Sequence, residues 1–228
     1  MNNSRNPVPI AVFASGRGSN FDAIAGAIES GQLDARITSV VSDRPEAPVL
    51  EKARARGLIV HCVPFAPGTS GEGIEERRVR HDEEILRRIS PENPRFLVMA
   101  GYMRIVSPLL LDAFRSERGE YHRVVNVHPS LLPAFSGAAG YAQAFEHGCQ
   151  VAGVTVHLVD QGLDSGPICA QEAFGISDCR SAREVEARGL QLEHRLYPQA
   201  LSWILSENFE IETRSALAPP RRPCVRPN

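Results

Sequence analysis

The chain has 228 residues, a formal net charge of −2 and 43% hydrophobic residues. This size suits one α/β domain or two small ones, and the charge argues against a nucleic-acid partner. No apolar run approaches the length of a membrane span, and the residues before Val8 lack the apolar core of a signal peptide. The five cysteines are scattered without a Cys-x-x-Cys pair, so we expect reduced thiols in a cytoplasmic protein without a metal site.

The first half of the chain alternates strand-like apolar runs with helix-like segments. The predicted strands are 8–14, 37–41, 58–63, 96–100 and 124–128, and the predicted helices are 21–28, 48–56, 74–89 and 108–114. Such alternation implies right-handed crossovers and an α/β fold whose mainly parallel sheet carries helices on both faces.

The pattern changes after Pro133. The sequence predicts a short helix at 141–147, two strands at 153–159 and 167–174, and a long helix at 181–205. Because a short, turn-rich link joins the two strands, they should pair antiparallel. We predict one domain over residues 1–215, with halves at about 8–105 and 106–215 and an irregular, proline- and arginine-rich tail at 216–228.

The segment Val124–Pro133 places two polar side chains at the end of a buried strand. Asn126 and His128 are two residues apart, so they share one face of the strand, and Pro129 ends the ladder. Open α/β sheets place their chemistry at such carboxyl ends of strands. The alternative interpretation is that both side chains satisfy backbone groups in a local turn.

A glycine-rich turn follows the first predicted strand. Residues 15–20, which we call the glycine turn, read Ser-Gly-Arg-Gly-Ser-Asn and lead directly into a helix. Glycines let the backbone approach a ligand closely, and the N–H groups at a helix start attract anions, so this turn is a candidate phosphate site. It is not the dinucleotide fingerprint, because Phe21 stands where a third small residue is expected. Ser19 and Asn20 could instead serve only as helix caps.

Taken together, the motifs resemble those of the folate-dependent phosphoribosylglycinamide formyltransferases. The matching segments, in the family's order, are 15–20, 100–105, 126–133, 153–157 and 163–167. The resemblance covers nearly the whole chain. It implies a Rossmann-like formyltransferase fold and transfer of a formyl group from 10-formyltetrahydrofolate, the co-substrate, to glycinamide ribonucleotide in purine synthesis. The first half would hold the nucleotide phosphate, and the second half would hold the folate and the catalytic residues.

The resemblance also implies a role for individual residues. Those implied for catalysis are Asn126, His128 and Asp164. Those implied for glycinamide ribonucleotide are Gly18, Ser19, Asn20, Leu190, Gln191 and Glu193, with Arg123 as a further candidate near the phosphate. Those implied for folate are Arg78, Met103, Arg104, Ile105, Val106, Asn126, Asp160, Gln161, Gly162, Leu163 and Asp164. His157 reads as an ordinary strand residue. The partners would be small molecules, without nucleic acid or membrane, and the protein a monomer or homodimer.

One segment departs from the family pattern, and three other functions compete. The loop 137–141 lacks the histidine that bacterial relatives often carry there. The nearest rival function is hydrolysis of formyltetrahydrofolate, whose enzymes carry an additional amino-terminal regulatory domain that we do not expect before Val8. A formyltransferase for initiator methionyl-tRNA would add a basic carboxyl-terminal domain. A catalytically inactive folate or nucleotide sensor is the third alternative.

Overall fold

The computed structural model describes residues 6–212 and 224–227. The chain forms two compact units, Met1–Leu110 and Leu111–Asn228. The first unit contains the glycine turn, and the second contains Asn126, His128 and Asp164. That residues 1–215 act as one domain stays a prediction.

The first unit is built on four parallel strands. They are β1 (Val8–Phe13), β2 (Ala35–Ser42), β3 (Ile59–Cys62) and β4 (Phe96–Met99), in the spatial order β3-β2-β1-β4. Each neighbouring pair in this set runs parallel, as the alternating pattern predicted. The helices that follow successive strands are α1 (Ser19–Glu29), α2 (Pro48–Ala55), α3 (Ile74–Ile89) and α4 (Pro108–Ala113).

Burial explains why β1 and β4 read as continuous apolar runs. Residues 10–13 of β1 and 96–98 of β4 are fully buried, as expected for parallel strands that are covered on both faces. Helix α1 buries Phe21 and Ile24 together with the polar Asn20, whereas Glu29 is exposed. The sheet ends that carry the loops are thereby held on a rigid core.

The second unit is largely antiparallel. Its strands are β5 (Val124–His128), β6 (Val151–Leu158), β7 (Ile168–Gly175), β8 (Phe209–Glu212) and β9 (Cys224–Pro227), in the spatial order β5-β6-β7-β9-β8. The predicted antiparallel pairing of β6 with β7 is confirmed, β5 also pairs antiparallel with β6, and β9 pairs antiparallel with β8 and parallel with β7. The helices are α5 (Gly140–Glu146) and α6 (Ala182–Ile204). Within the described residues, no helix has the length and apolarity needed to cross a membrane.

Two strands near the carboxyl terminus were not predicted. We expected residues 216–228 to be irregular, but Cys224–Pro227 forms β9, so the prediction is wrong there; residues 213–223 lie outside the described residues. The Pro- and Arg-rich composition predicted irregular backbone, but four of these residues form a short strand. Val225 is buried and β9 pairs with two neighbours, whereas Pro227 stands at the strand end, where a missing N–H is tolerated.

Two helical glycines provide a test of this packing. Gly26 of α1 has nothing within 4 Å of the place where a Cβ would stand, whereas a Cβ on Gly189 of α6 would overlap the ring of Tyr141. We expect Gly26→Ala to raise the free energy of unfolding by about 0.5–1 kcal/mol through helix propensity. Gly189→Ala should lower it by about 1–3 kcal/mol through overpacking. Urea denaturation measures the free energy of unfolding of both variants. Equal stabilisation of the two variants would contradict this packing.

Candidate active site in the second unit

Register brings four polar side chains to one face of the β5–β6 pair. Asn126 lies opposite His157, and His128 lies opposite Thr155. Directly opposed residues in an antiparallel pair point to the same face, and so do residues two apart on one strand. The Thr155 hydroxyl donates to the Ser130 carbonyl at 2.7 Å and so anchors the turn that follows His128.

His128 is buried and contacts two oxygen acceptors. Its Nε2 lies 2.9 Å from the Phe135 carbonyl oxygen, and its Nδ1 lies 3.3 Å from Oδ2 of Asp164. A carbonyl oxygen and an ionised carboxylate only accept hydrogen bonds. Nε2 therefore carries the proton that the Phe135 carbonyl accepts, and Nδ1 faces the Asp164 carboxylate.

Asp164 is held by the loop that follows β5. The Gly137 N–H donates to its Oδ2 at 2.8 Å, and only 11% of its side chain is exposed. Asp164, Phe135 and Ala139 have φ angles of 51°, 52° and 61°. Backbone in this left-handed region costs free energy for residues other than glycine and often occurs at functional sites. The strained backbone therefore surrounds the His128–Asp164 pair.

His157 belongs to this cluster as a residue of the shared strand face. Its Nδ1 lies 2.9 Å from the Leu158 carbonyl oxygen, which requires a proton on Nδ1. Its Nε2 can then accept the Asn126 Nδ2–H at 3.3 Å, and it lies 3.8 Å from Oδ1 of Asp164. This bond uses one hydrogen of the Asn126 amide and leaves the other available for a ligand. Only the β5–β6 register, which the sequence does not reveal, places His157 here.

A second buried pair lies on the helices of this unit. The Tyr141 hydroxyl of α5 donates to Oε1 of Glu193 on α6 at 2.6 Å, and both residues are buried. Burial, and then the nearby carboxylate, raise the pKa of the Tyr141 phenol well above its usual range. Tyr141 thus remains a neutral donor that holds Glu193. On the preceding turn of α6, Leu190 is half-buried and Gln191 is exposed.

The predicted folate-closing loop, residues 160–164, is ordered by its own first side chain. Oδ1 of Asp160 accepts from the Gly162 N–H at 3.1 Å and from the Ser165 hydroxyl at 2.7 Å. Gln161 and Leu163 are exposed. The loop therefore presents Leu163 outward and returns Asp164 to His128.

The first unit contains the other predicted ligand-binding segments. In the glycine turn, Gly18 has φ 74° and precedes the first residue of α1, and a Cβ on it would lie 2.6 Å from the Val49 side chain. Only glycine fits there, so the chain can pass close to Val49 as it enters α1. Ser19 is half-buried and Asn20 is buried.

Residues 103–106 of the first unit, which we call the pterin loop, expose two apolar side chains. Met103 is 64% exposed and Ile105 is 49% exposed, whereas Val106 is buried. The Arg104 guanidinium is already occupied, because its Nε donates to Asp43 at 2.7 Å. Arg78, on α3, pairs with Glu75 one turn earlier.

Arg123 does not have the free charge that a phosphate ligand needs. It lies just before β5, and its Nε donates to Glu207 at 2.7 Å while Nη2 lies 3.2 Å from Glu117. Burial opposes the charge on Arg123, but the bond to Glu207 outweighs it and raises the pKa. These ion pairs argue against the prediction that Arg123 helps to neutralise the phosphate. In the part of the chain that is described, no group of three or more His, Cys, Asp or Glu could hold a metal ion.

Comparison with known proteins shows the family to which the chain belongs. Residues 8–201 match the family model described as formyl transferase, so the chain belongs to the formyl transferase family. Phosphoribosylglycinamide formyltransferase of Bacillus subtilis (strain 168) is 38% identical over 198 residues, which are 87% of this chain and 95% of that protein. Within the family, the chain therefore belongs with the phosphoribosylglycinamide formyltransferases.

Solved structures confirm the predicted Rossmann-like formyltransferase fold. Glycinamide ribonucleotide transformylase 1 from Symbiobacterium toebii superposes with a TM-score of 0.82 at 33% identity, covering 99% of this chain and 97% of that chain. A formyltetrahydrofolate deformylase from Pseudomonas syringae superposes with a TM-score of 0.78 at 23% identity, covering 93% of this chain and 65% of that chain. At that identity, the second similarity concerns the fold alone.

The contact between Asn126 and His157 predicts coupled effects on formyl transfer. Asn126→Ala should lower turnover about a hundredfold, because one preorganised donor is lost. His157→Ala should lower it about tenfold by releasing the amide. The double variant should be no slower than Asn126→Ala, because His157 acts through that amide. Steady-state turnover of the four proteins measures this, with His61→Ala as a control, and effects that multiply would show the two residues to be independent.

Proposed function

We propose that this protein transfers the formyl group of 10-formyltetrahydrofolate to the amine of glycinamide ribonucleotide. The products are formylglycinamide ribonucleotide and tetrahydrofolate, and the reaction belongs to purine synthesis. The observation that carries this proposal is the His128–Asp164 contact of 3.3 Å beside the oriented amide of Asn126, in a chain that belongs with the phosphoribosylglycinamide formyltransferases.

The chemistry of transfer explains the three residue types. The amine attacks the formyl carbon and forms a tetrahedral centre that bears an oxyanion; the carbon–nitrogen bond to folate then breaks, and the amine's proton passes to the departing nitrogen. The second N–H of Asn126 would donate to the oxyanion, and the protonated His128 ring would donate as well once its Nε2–H turns from the Phe135 carbonyl oxygen to the substrate. Asp164 would keep the imidazolium in place and accept and return the proton, directly or through water.

The acceptor nucleotide would be held by two sets of groups. The glycine turn, through Gly18, Ser19 and Asn20, would bind the phosphate with backbone and side-chain donors at the start of α1. The Glu193 carboxylate would accept from the ribose hydroxyls, with Leu190 and Gln191 beside it on α6. Tyr141 supports this role because it holds the carboxylate in one orientation.

The folate would be bound mainly by shape and by backbone groups. Met103 and Ile105 of the pterin loop expose the apolar surface that a flat ring requires, and Arg104 and Val106 would contribute backbone contacts. The 160–164 loop would close over the ring, with Asp160, Gln161, Gly162 and Leu163 lining it. Arg78 would pair with the carboxylates of the folate tail.

The wider setting follows from the same proposal. 10-Formyltetrahydrofolate is a co-substrate, and no metal takes part in the proposed steps. The partners are small molecules rather than nucleic acid or membrane, and the protein works as a monomer or homodimer. The described cysteines Cys62, Cys149, Cys169 and Cys179 are free, which supports a cytoplasmic location.

A direct assay tests the reaction. The purified protein is given 10-formyltetrahydrofolate with and without glycinamide ribonucleotide, and tetrahydrofolate and the formylated nucleotide are measured. We expect both products in equal amounts, and only when the nucleotide is present. Tetrahydrofolate and formate released without the nucleotide would indicate the hydrolase instead, and no reaction in either mixture would indicate a sensor.

The same assay tests the three catalytic assignments. Asn126→Ala, His128→Ala and Asp164→Ala should each lower turnover at least about a hundredfold, since each removes about 3 kcal/mol of transition-state stabilisation. Circular dichroism checks that each variant folds, and Asp112→Asn, an exposed carboxylate with no assigned role, is the matched control. Near-normal turnover in all three variants would show that the active site does not lie at these residues.

Glu193 should affect one substrate only. Glu193→Gln keeps an acceptor for Tyr141 but loses the charge that strengthens bonds to the ribose hydroxyls, so the KM for glycinamide ribonucleotide should rise about tenfold. Turnover and the KM for folate should stay within about twofold of wild type. Glu186→Gln, also on α6, is the control. Equal rises in both KM values would show a general loss of structure rather than lost ribose contacts.

A further inference from the structure

A buried carboxylate in the first unit connects two of the segments that contact substrate. Asp43 directly follows β2, and its side chain is fully buried. Its Oδ1 accepts from the Ser15 hydroxyl at 2.5 Å, and its Oδ2 accepts from Nε of Arg104 at 2.7 Å. Ser15 is the first residue of the glycine turn, and Arg104 lies in the pterin loop. One side chain therefore binds both segments.

Ser15 extends this connection to the neighbouring loop residue. Its hydroxyl oxygen accepts the Met103 N–H at 2.9 Å while donating to Asp43. Its own N–H donates to the Gly101 carbonyl at 3.0 Å. The start of the glycine turn and the start of the pterin loop are therefore joined by successive hydrogen bonds. The bond between Ser15 and Asp43 is buried, and hydrogen bonds are stronger in a buried environment.

Arg104 is positioned from below the loop rather than extended towards a ligand. Its guanidinium carbon lies 4.7 Å from the centre of the Phe65 ring, and the guanidinium carbon of Arg77 lies 4.7 Å from the same ring. Such cation–π contacts add to the ion pair with Asp43. Arg104 is thus held by Asp43 and Phe65, and Met103 and Ile105 on either side of it expose apolar surface that could receive a flat ring.

The charge on Asp43 is essential to this arrangement. Burial acts against ionisation, but the hydrogen bonds from Ser15 and Arg104 outweigh it and lower the pKa of Asp43 below its usual value. The group is therefore an ionised double acceptor at neutral pH. An amide offers a single acceptor oxygen, so Asp43→Asn must leave either Ser15 or Arg104 facing an N–H donor.

We propose that Asp43 is a positioning residue that joins the pterin loop to the glycine turn, so that binding of one substrate strengthens binding of the other. This inference rests on the proposed function, because it takes the turn as the phosphate site and the loop as part of the folate site. Ligand bound to either segment would further restrict the motion of Asp43, Ser15 and Arg104, and the second ligand would meet a segment with less conformational entropy left to lose. Linkage requires the effect to be equal in both directions.

Equilibrium binding of a non-reacting pair tests the proposal. The pair is tetrahydrofolate, which carries no formyl group, with glycinamide ribonucleotide, and the binding constant of each is measured by calorimetry with and without the other. In the wild-type protein, each should tighten binding of the other about fivefold or more. In Asp43→Asn, each should bind more weakly, and the mutual effect should fall to within about twofold of none.

Two further variants keep the test decisive if Asp43→Asn folds poorly. Ser15→Ala removes the hydrogen bond to Met103 and retains the Asp43–Arg104 ion pair. Arg104→Ala removes that ion pair, at a partly exposed side chain, and retains the hydrogen bond between Ser15 and Met103. Both should reduce the mutual effect. Asp22→Asn, which breaks a surface ion pair with Lys52 in the same unit, should preserve it.

The outcomes separate this inference from the proposed function. An active wild-type protein that shows no mutual effect, or one whose mutual effect survives in Asp43→Asn and Ser15→Ala, would overturn the role of Asp43 and leave the transfer reaction intact. A wild-type protein that binds neither ligand and forms no formylated nucleotide would overturn the proposed function itself.

Discussion

The contact between His128 and Asp164 is the interaction on which the candidate active site depends. The imidazole comes from a strand end and the carboxylate from a loop 36 residues later, and they meet at 3.3 Å. The loop after β5 maintains this contact, since the Phe135 carbonyl accepts from the ring and the Gly137 N–H donates to the carboxylate. A shift of about one ångström would weaken both bonds, because hydrogen bonds fall off steeply with distance.

The loop that departs from the family pattern is therefore integral to this structure. Gly137 contacts Asp164, and a Cβ on Gly140 would lie 2.5 Å from the Pro129 carbonyl oxygen, so glycine is needed for the close approach to the turn after His128. Tyr141 reaches Glu193 through its hydroxyl. Main-chain groups and a tyrosine thus make these contacts without a histidine in the loop.

Both units use the same physical device at a ligand-binding segment. In each, a buried hydroxyl satisfies a backbone group of a separate segment: Thr155 holds the turn after His128, and Ser15 holds the start of the pterin loop. Loops fixed in this way lose less conformational entropy when a ligand binds, which is the benefit of preorganisation. Exposed side chains such as Leu163 and Met103 can then adjust their conformations to a ligand.

Much of the fold could be predicted from local patterns. The apolar strand runs, the helices between them and the glycine turn depend on neighbouring residues, and the structure contains each of them with small changes in bounds. The strand β9 could not be predicted, because its stability comes from pairing with β7 and β8 rather than from its own composition.

The sequence by itself determined which chemistry was possible: an amide and an imidazole on one strand face, an aspartate in a turn-rich link, and a glycine turn before a helix. Only the tertiary structure decided which of these groups meet. It brought His157 against Asn126, paired Arg123 with glutamates and joined Ser15 to Arg104 through Asp43. The physical reason is that strand register and loop closure bring together residues that are far apart in the chain, and no local pattern records those distances.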